Sequence, residues 1–214
     1  MYAESADDHR SGRDGPGVGP WDGQWPDDPR YDPELLEHGD HRNVVDHYRY
    51  WRREAIIADL DGRRHSFHVA IENWQHDFNI GSVVRTANAF AAASVRIVGK
   101  RRWNRRGAMV TDRYQHIHHH ETLAELVDWA HREGQAVIGI DNLPGALPLE
   151  SYDLPNKCVL LFGQEGPGLS DDARELIDVV LSIGQFGSTR SINAGAAAAI
   201  AMHAWIRQHA FGQG

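Results

Sequence analysis

At 214 residues with 41% hydrophobic content the chain can bury one sizeable core, and no apolar run approaches the roughly 18 residues of a membrane span, so a soluble cytoplasmic protein is expected. The lone Cys158 excludes an internal disulfide framework, and the acidic, polar start lacks the pattern of a signal peptide. The net charge of -8 is concentrated: residues 1–42 hold eleven of the 30 acids and four of the 22 bases, which leaves nineteen against eighteen elsewhere and keeps an RNA partner open.

Residues 1–42 are rich in Gly, Pro and Asp without apolar periodicity, and they read as a disordered acidic tail. From Val44, the spacing of Val45, Tyr48, Trp51, Ala55, Ile56 and Leu60 predicts a helix over 44–60 that opens a domain spanning 43–214. Strands and helices then alternate. Strands are expected at 67–71, 95–98, 136–140, 158–162 and 179–183, and helices at 80–91, 121–132, 171–177 and 194–209. That order predicts an α/β fold with a mostly parallel sheet flanked by helices.

Three stretches begin where strands should end, the position at which open α/β sheets bind ligands. In Asn79-Ile80-Gly81-Ser82-Val83-Val84-Arg85, Asn79 reads as an N-cap, and Arg85 lies off the apolar face formed by Ile80, Val83, Val84, Ala87 and Phe90. In Phe162-Gly163-Gln164-Glu165-Gly166-Pro167-Gly168-Leu169 a Gly-rich turn carries a carboxylate and no Lys-Ser/Thr, which disfavours a phosphate and suits a cationic or hydroxyl-bearing ligand such as S-adenosylmethionine. In Ser191-Ile192-Asn193-Ala194-Gly195, two polar residues precede a helix of small residues suited to close packing.

Between these, Arg101, Arg102, Trp103, Arg105 and Arg106 form a basic, aromatic-bearing segment that reads as an RNA-contacting surface. His116, His118, His119 and His120 crowd one strand. With no cysteine or second ligand pair beside them, they read as a polar edge, and no metal is expected.

Together the three stretches resemble the SpoU family of RNA ribose 2'-O-methyltransferases, the TrmH-like branch of the SPOUT superfamily, over residues 66–209. All the polar members of its pattern stand here, at Asn79, Arg85, Glu165, Ser191 and Asn193, with Ile192 in place of the usual Leu. The resemblance implies a C-terminal deep trefoil knot, a homodimer, S-adenosylmethionine as cofactor and a structured RNA, tRNA or rRNA, as substrate. It casts Arg85 as the base that deprotonates the ribose, Asn79 and Ser191 as positioning groups, and Glu165 and Asn193 as shaping the loops. It assigns largely main-chain cofactor contacts to Gly163, Ile183 and Ile192, with Ser191 nearby. This chain departs from the family at Ile183-Gly184-Gln185 and at Ala194-Gly195, where a Pro-Met and a Val-Ser are usual. A non-catalytic RNA-binding module that keeps the fold is the alternative reading.

Overall fold

A computed structural model of the chain describes residues 17–73, 79–164, 166–189 and 191–211. They divide into two compact units, one up to Ile56 and one from Ile57 onward.

The first unit differs from the expected tail. Within residues 17–42 a short helix, α1 (Pro33–His38), is capped by Asp32, whose side chain accepts from the Glu34 N–H, and starts on a proline. Val18 and Asp40 pair as an antiparallel bridge. Trp21 packs edge-on against Tyr31 at 5.8 Å and Tyr50 at 5.3 Å. Asp40 is fully buried and accepts from the Arg42 guanidinium at 2.7 and 2.8 Å and from the Tyr50 N–H at 2.9 Å. Burial pushes the Asp40 carboxyl up, but the Arg42 and Tyr50 hydrogen bonds together outweigh it and hold the group below the usual carboxylate range. Aromatic contacts and one buried ion pair organise this segment, so aliphatic periodicity does not register it. The single helix expected over 44–60 is also absent. A 3-10 turn at Asp46–Tyr48 is followed by Tyr50 in the left-handed region (φ 64°), and α2 (Arg53–Asp61) begins only afterwards.

The second unit is a parallel sheet covered on both faces. Its strands are β1 (His68–Asn73), β2 (Val95–Gly99), β3 (Ile117–His120), β4 (Ala136–Ile140), β5 (Leu147–Pro148), β6 (Cys158–Phe162) and β7 (Val179–Ser182). Their order across the sheet is β3-β2-β1-β6-β4-β7-β5, and every pair is parallel. The helices are α3 (Ile80–Ala89), α4 (Leu123–Arg132), α5 (Asp171–Leu176) and α6 (Ala194–His209).

Alternation of side chains along each strand explains why the central ones are apolar throughout. On one face Val69, Ile71, Ile97, Leu160 and Phe162 pack with Ile80, Val83 and Val84 of α3 and with Ala198, Met202 and Trp205 of α6. On the other, Ala70, Val98, Val159 and Leu161 pack with Leu126 and Ala130 of α4 and Ala173 of α5. Leu160 and Leu161 are fully buried on opposite faces, each worth about 1.5–3 kcal/mol of burial. Cys158 is buried beside them with its thiol pushed up to about 12, as befits a core residue. Among the described residues no helix is long and apolar enough to cross a membrane.

On the α4 face the histidine-rich strand meets a buried arginine. Arg96 of β2 lies 3.1 Å over the Trp129 ring and donates to His120 Nε2 at 3.0 Å; a guanidinium can only donate, so that nitrogen is unprotonated. His68 Nδ1 sits 2.7 Å from Ser94 Oγ and its ring is edge-on to Trp129. Burial first, and then the Arg96 charge, lower His68 and His120 each to about 4. Histidines held neutral in the fold ionise near their ordinary 6.5 once the chain unfolds. Unfolding therefore takes up protons below that value, and stability falls as the pH drops from about 6.5 towards 4. Thermal melts between pH 7 and 5 are expected to show a declining midpoint with up to ~2 protons taken up per unfolding event, and the paired substitution His68→Asn, His120→Gln should flatten the profile.

Candidate active site

The loops that leave the carboxyl ends of β4, β6 and β7 converge on one open cleft of about 380 Å³. Gly163, Gln164 and Gly168 wall it from the β6 side. Ile183, Gln185, Ser191, Ile192 and Asn193 wall it from the loop between β7 and α6. All four positions expected to contact a cofactor, Gly163, Ile183, Ser191 and Ile192, therefore line one cavity.

The β6 loop is folded tightly. Gln164 and Gly168 exchange both backbone hydrogen bonds at 3.0 Å, and a Cβ on Gly163 would run into the Gly168 carbonyl and the Leu169 nitrogen. Two carboxylates from neighbouring strand ends fix the far side of the turn. Asp141, just after β4, accepts from the Leu169 N–H at 2.8 Å, and the fully buried Glu72 of β1 accepts from the Ser170 N–H at 2.9 Å. Ser170 then caps α5, its side chain accepting from the Ala173 N–H. The loop after β7 is anchored in the same manner by Glu150, which accepts from the Gly184 N–H at 2.7 Å.

The first and third stretches meet through their asparagines. Asn193 caps α6 by accepting from the Gly195 and Ala196 N–H groups, and its Nδ2 donates to Asn79 Oδ1 at 2.9 Å. Asn79 stands at the N-cap position of α3 but makes no side-chain cap there, a correction to the capping role expected of it. Its amide serves as the tie between the two helix starts. Gly195 lets the helices approach, since a Cβ there would already touch Ser82 and the Asn193 side chain.

Gly81 has a similar role toward another segment. A Cβ on it would lie 2.7–2.8 Å from backbone atoms of Ala108 and Gly107, so the loop after β2 rests directly on the first turn of α3. Arg85, one turn further along α3, is exposed to solvent. It is not among the residues that line the cleft, and Glu165 lies outside the described residues.

On the basic loop Arg101, Arg102, Arg105 and Arg106 are exposed, while Trp103 is half-buried against the core below. The buried Asn73 holds the loop's root by donating to the carbonyls of Lys100 and Arg102 at 2.6 and 2.8 Å. Of the crowded histidines, His116 faces Asp61 at 2.8 Å and His119 faces the Gly99 carbonyl at 2.6 Å. Among the described residues no group of three potential ligands could hold a metal ion.

Sequence reading missed Asp141, Gln164 and Gln185, which also border the cleft. The Gln164 and Gln185 amide oxygens are shielded from solvent and have no hydrogen-bond partner among the described residues. Two such acceptors in a cavity whose described lining has one carboxylate, Asp141, and no lysine or arginine favour a ligand rich in donors or positive charge over a phosphate. Asp141 could have been flagged, because Asp-Asn directly follows the apolar run of β4.

A parallel sheet covered on both faces, with one cleft built from the loops at its carboxyl edge, defines a ligand-binding α/β domain. The chain belongs to the SpoU rRNA Methylase family, whose pattern matches residues 66–203. It is 32% identical over 168 residues to a Mycobacterium avium protein named as an uncharacterized tRNA/rRNA methyltransferase, a match over 75% of this chain and 53% of that protein. The chain thus spans about half the length of the curated relatives it matches. Among solved structures, the Aquifex aeolicus TrmH/SpoU tRNA modifying enzyme superposes with TM-score 0.65 at 20% identity, covering 73% of this chain and 82% of that one. The SpoU methyltransferase AviRb of Streptomyces viridochromogenes, solved in complex with AdoMet, superposes with TM-score 0.61 at 26% identity, covering 72% of this chain and 62% of that one.

Proposed function

We propose that this chain transfers a methyl group from S-adenosylmethionine to a ribose 2'-hydroxyl of structured RNA, tRNA or rRNA. The observation that carries the reading is the cleft itself. The Gln164 and Gln185 amide oxygens, which have no partner among the described residues, and the absence of lysine and arginine from its described lining suit a cationic, donor-rich cofactor better than a nucleotide polyphosphate. Family membership and the AdoMet complex of AviRb support the same choice.

In this reading the cofactor supplies a methyl group activated on a sulfonium. The backbone at Gly163, Ile183 and Ile192 holds it, with Ser191 beside them. The tie between Asn79 and Asn193 keeps the start of α3 against the start of α6. Arg85 then acts from α3 on the incoming ribose. A guanidinium is protonated at neutral pH, so it binds the neighbouring phosphate and orients the hydroxyl, and the hydroxyl proton leaves by way of that phosphate. Glu165 and Asn193 shape the loops.

The trefoil knot and the homodimer implied by the family resemblance belong to this proposal. For the dimer, the exposure of Ile200 (43%) and Phe211 (66%) on and after α6 supplies an apolar surface that a second copy could cover.

Incubation of the purified chain with labelled S-adenosylmethionine and total RNA, followed by mapping of the modified nucleotide, is the direct test. Label in a 2'-O-methylated nucleoside is expected. Binding of RNA and cofactor with no transfer would favour the non-catalytic module instead. Replacing Arg101, Arg102, Arg105 and Arg106 together by Gln should weaken RNA binding and flatten its dependence on salt, without altering cofactor affinity. An unchanged salt slope would remove this loop from the RNA surface.

A further inference from the structure

We propose that Met109 and Val110 form an unstacking wedge that enters the base stack of the RNA beside the nucleotide to be modified, so the substrate is a nucleotide held in stacked, structured RNA and not in an unpaired strand. This rests on the RNA-methyltransferase reading above and deepens it.

Both residues adopt left-handed backbone conformations, Met109 at φ 47°, ψ 43° and Val110 at φ 69°, ψ 0°. Such angles are uncommon for any side chain but glycine, and for a β-branched valine they are a true outlier. The two side chains are also exposed, Met109 at 52% and Val110 at 51%. An exposed apolar pair on a strained backbone is unfavourable on both counts, and such strain persists only where the surroundings impose it.

The surroundings do impose it. The pair forms the tip between two 3-10 turns, Arg106–Ala108 and Thr111–Arg113, and the buried Thr111 hydroxyl donates to the Ala108 carbonyl at 2.6 Å across its base. One residue before that base, Gly107 rests on the backbone of Gly81 at the start of α3. The tip is thereby fixed to the same helix start that Asn79 ties to the cleft wall at Asn193.

Charge on the loop names the occupant. Arg101, Arg102 and Arg106 are exposed just upstream of the tip, and Arg105 pairs with Asp112 only at 3.4 Å. That is the complement of a phosphate backbone. The loop's aromatic residue is a poorer stacking platform, because Trp103 is half-buried against the core and the Arg105 guanidinium lies 5.5 Å over its ring. An aliphatic pair has no π-face on which an unpaired base could lie. It can displace a base from between its neighbours, which is how apolar side chains act when phosphate contacts hold a nucleic acid against them.

The test uses the full chain with Met109→Asn and Val110→Asn together. Asparagine tolerates the left-handed region, so the loop keeps its path while its apolar surface is lost. Two readouts are compared with wild type: methyl transfer to folded total RNA, and binding to the same RNA fragmented into short unpaired pieces. Transfer to folded RNA is expected to fall roughly tenfold or more, affinity for the fragments to stay within about twofold, and the melting temperature to hold or rise as strain is relieved. Undiminished transfer to folded RNA would overturn the proposal, and so would a matching loss of fragment binding, which would make the tip an ordinary contact. If wild type transfers no methyl to RNA at all, the RNA-methyltransferase reading fails and the wedge with it.

Discussion

Arg85→Ala is expected to lower methyl transfer by roughly 10²–10⁴-fold while leaving S-adenosylmethionine affinity within about twofold, the pattern of a residue that acts on the reacting hydroxyl. The position of the side chain explains the separation of effects. It is exposed on α3, outside the cleft lining, so its removal takes nothing from the cofactor's contacts. It also lies off the helix's buried face, where Val83, Val84 and Ala87 are, so the fold should not notice the truncation. Turnover with labelled cofactor and calorimetric titration of the same preparation measure the two quantities. Activity within twofold of wild type would remove Arg85 from the mechanism. Parallel loss of cofactor binding would move it into the cleft.

The largest structural effect is expected from Gly163→Ala. An added Cβ would overlap the Gly168 carbonyl and the Leu169 nitrogen, which are backbone atoms without a rotamer to yield. Neither can retreat freely, since Gly168 is paired with Gln164 and the Leu169 N–H is bound to Asp141. The turn must open to admit the methyl group. Overpacking of this kind costs about 3 kcal/mol, which for a chain of this size lowers the melting temperature by about 10 °C. S-adenosylmethionine binding should be lost together with the turn. Gly166→Ala is the control, because Gly166 has a φ of 94° but open space around its Cβ position, so only backbone strain of roughly 1–2 kcal/mol is expected there. If the two variants melt together, the close passage at Gly163 does not hold the loop.

Much of the fold is legible in the chain because its parallel strands are covered on both faces. Cys158–Phe162 and Ala136–Ile140 stand as unbroken apolar runs, and both strands form with the bounds expected of them. The last helix also begins and ends as expected, at Ala194 and His209. β1 runs two residues further than its hydrophobicity suggests, because Glu72 and Asn73 are polar yet buried, Glu72 accepting from the Ser170 N–H and the Asn73 Nδ2 donating to the Lys100 and Arg102 carbonyls of loops far away in sequence. β5 is only Leu147–Pro148, two exposed edge residues with no pattern to read.

The N-terminal segment defeats compositional reasoning for a related cause. Its order comes from specific contacts made by Asp40, Arg42, Trp21 and Tyr31, and a carboxylate buried on an arginine counts as polarity in any sum. In the site, the convergence of the second and third stretches follows from strand order. The joint between Asn79 and Asn193 depends on side-chain geometry that spacing alone does not express.

The strand order also has a consequence during synthesis. β1 pairs with β2 on one side and with β6 on the other, and β6 is likewise the partner of β4. As the nascent chain leaves the ribosome, β1 to β3 can assemble early, but the open edge of β1 and one side of β4 stay bare until Cys158–Phe162 emerges. A translational pause before that point would leave Val69 and Ile138, both destined for the interior, beside unpaired backbone. Arrival of this late strand joins β4 to the sheet of β1 to β3 and leaves β4's other side for β7, which in turn holds β5, so a ribosome slowed before β6 has emerged would endanger the yield of folded protein.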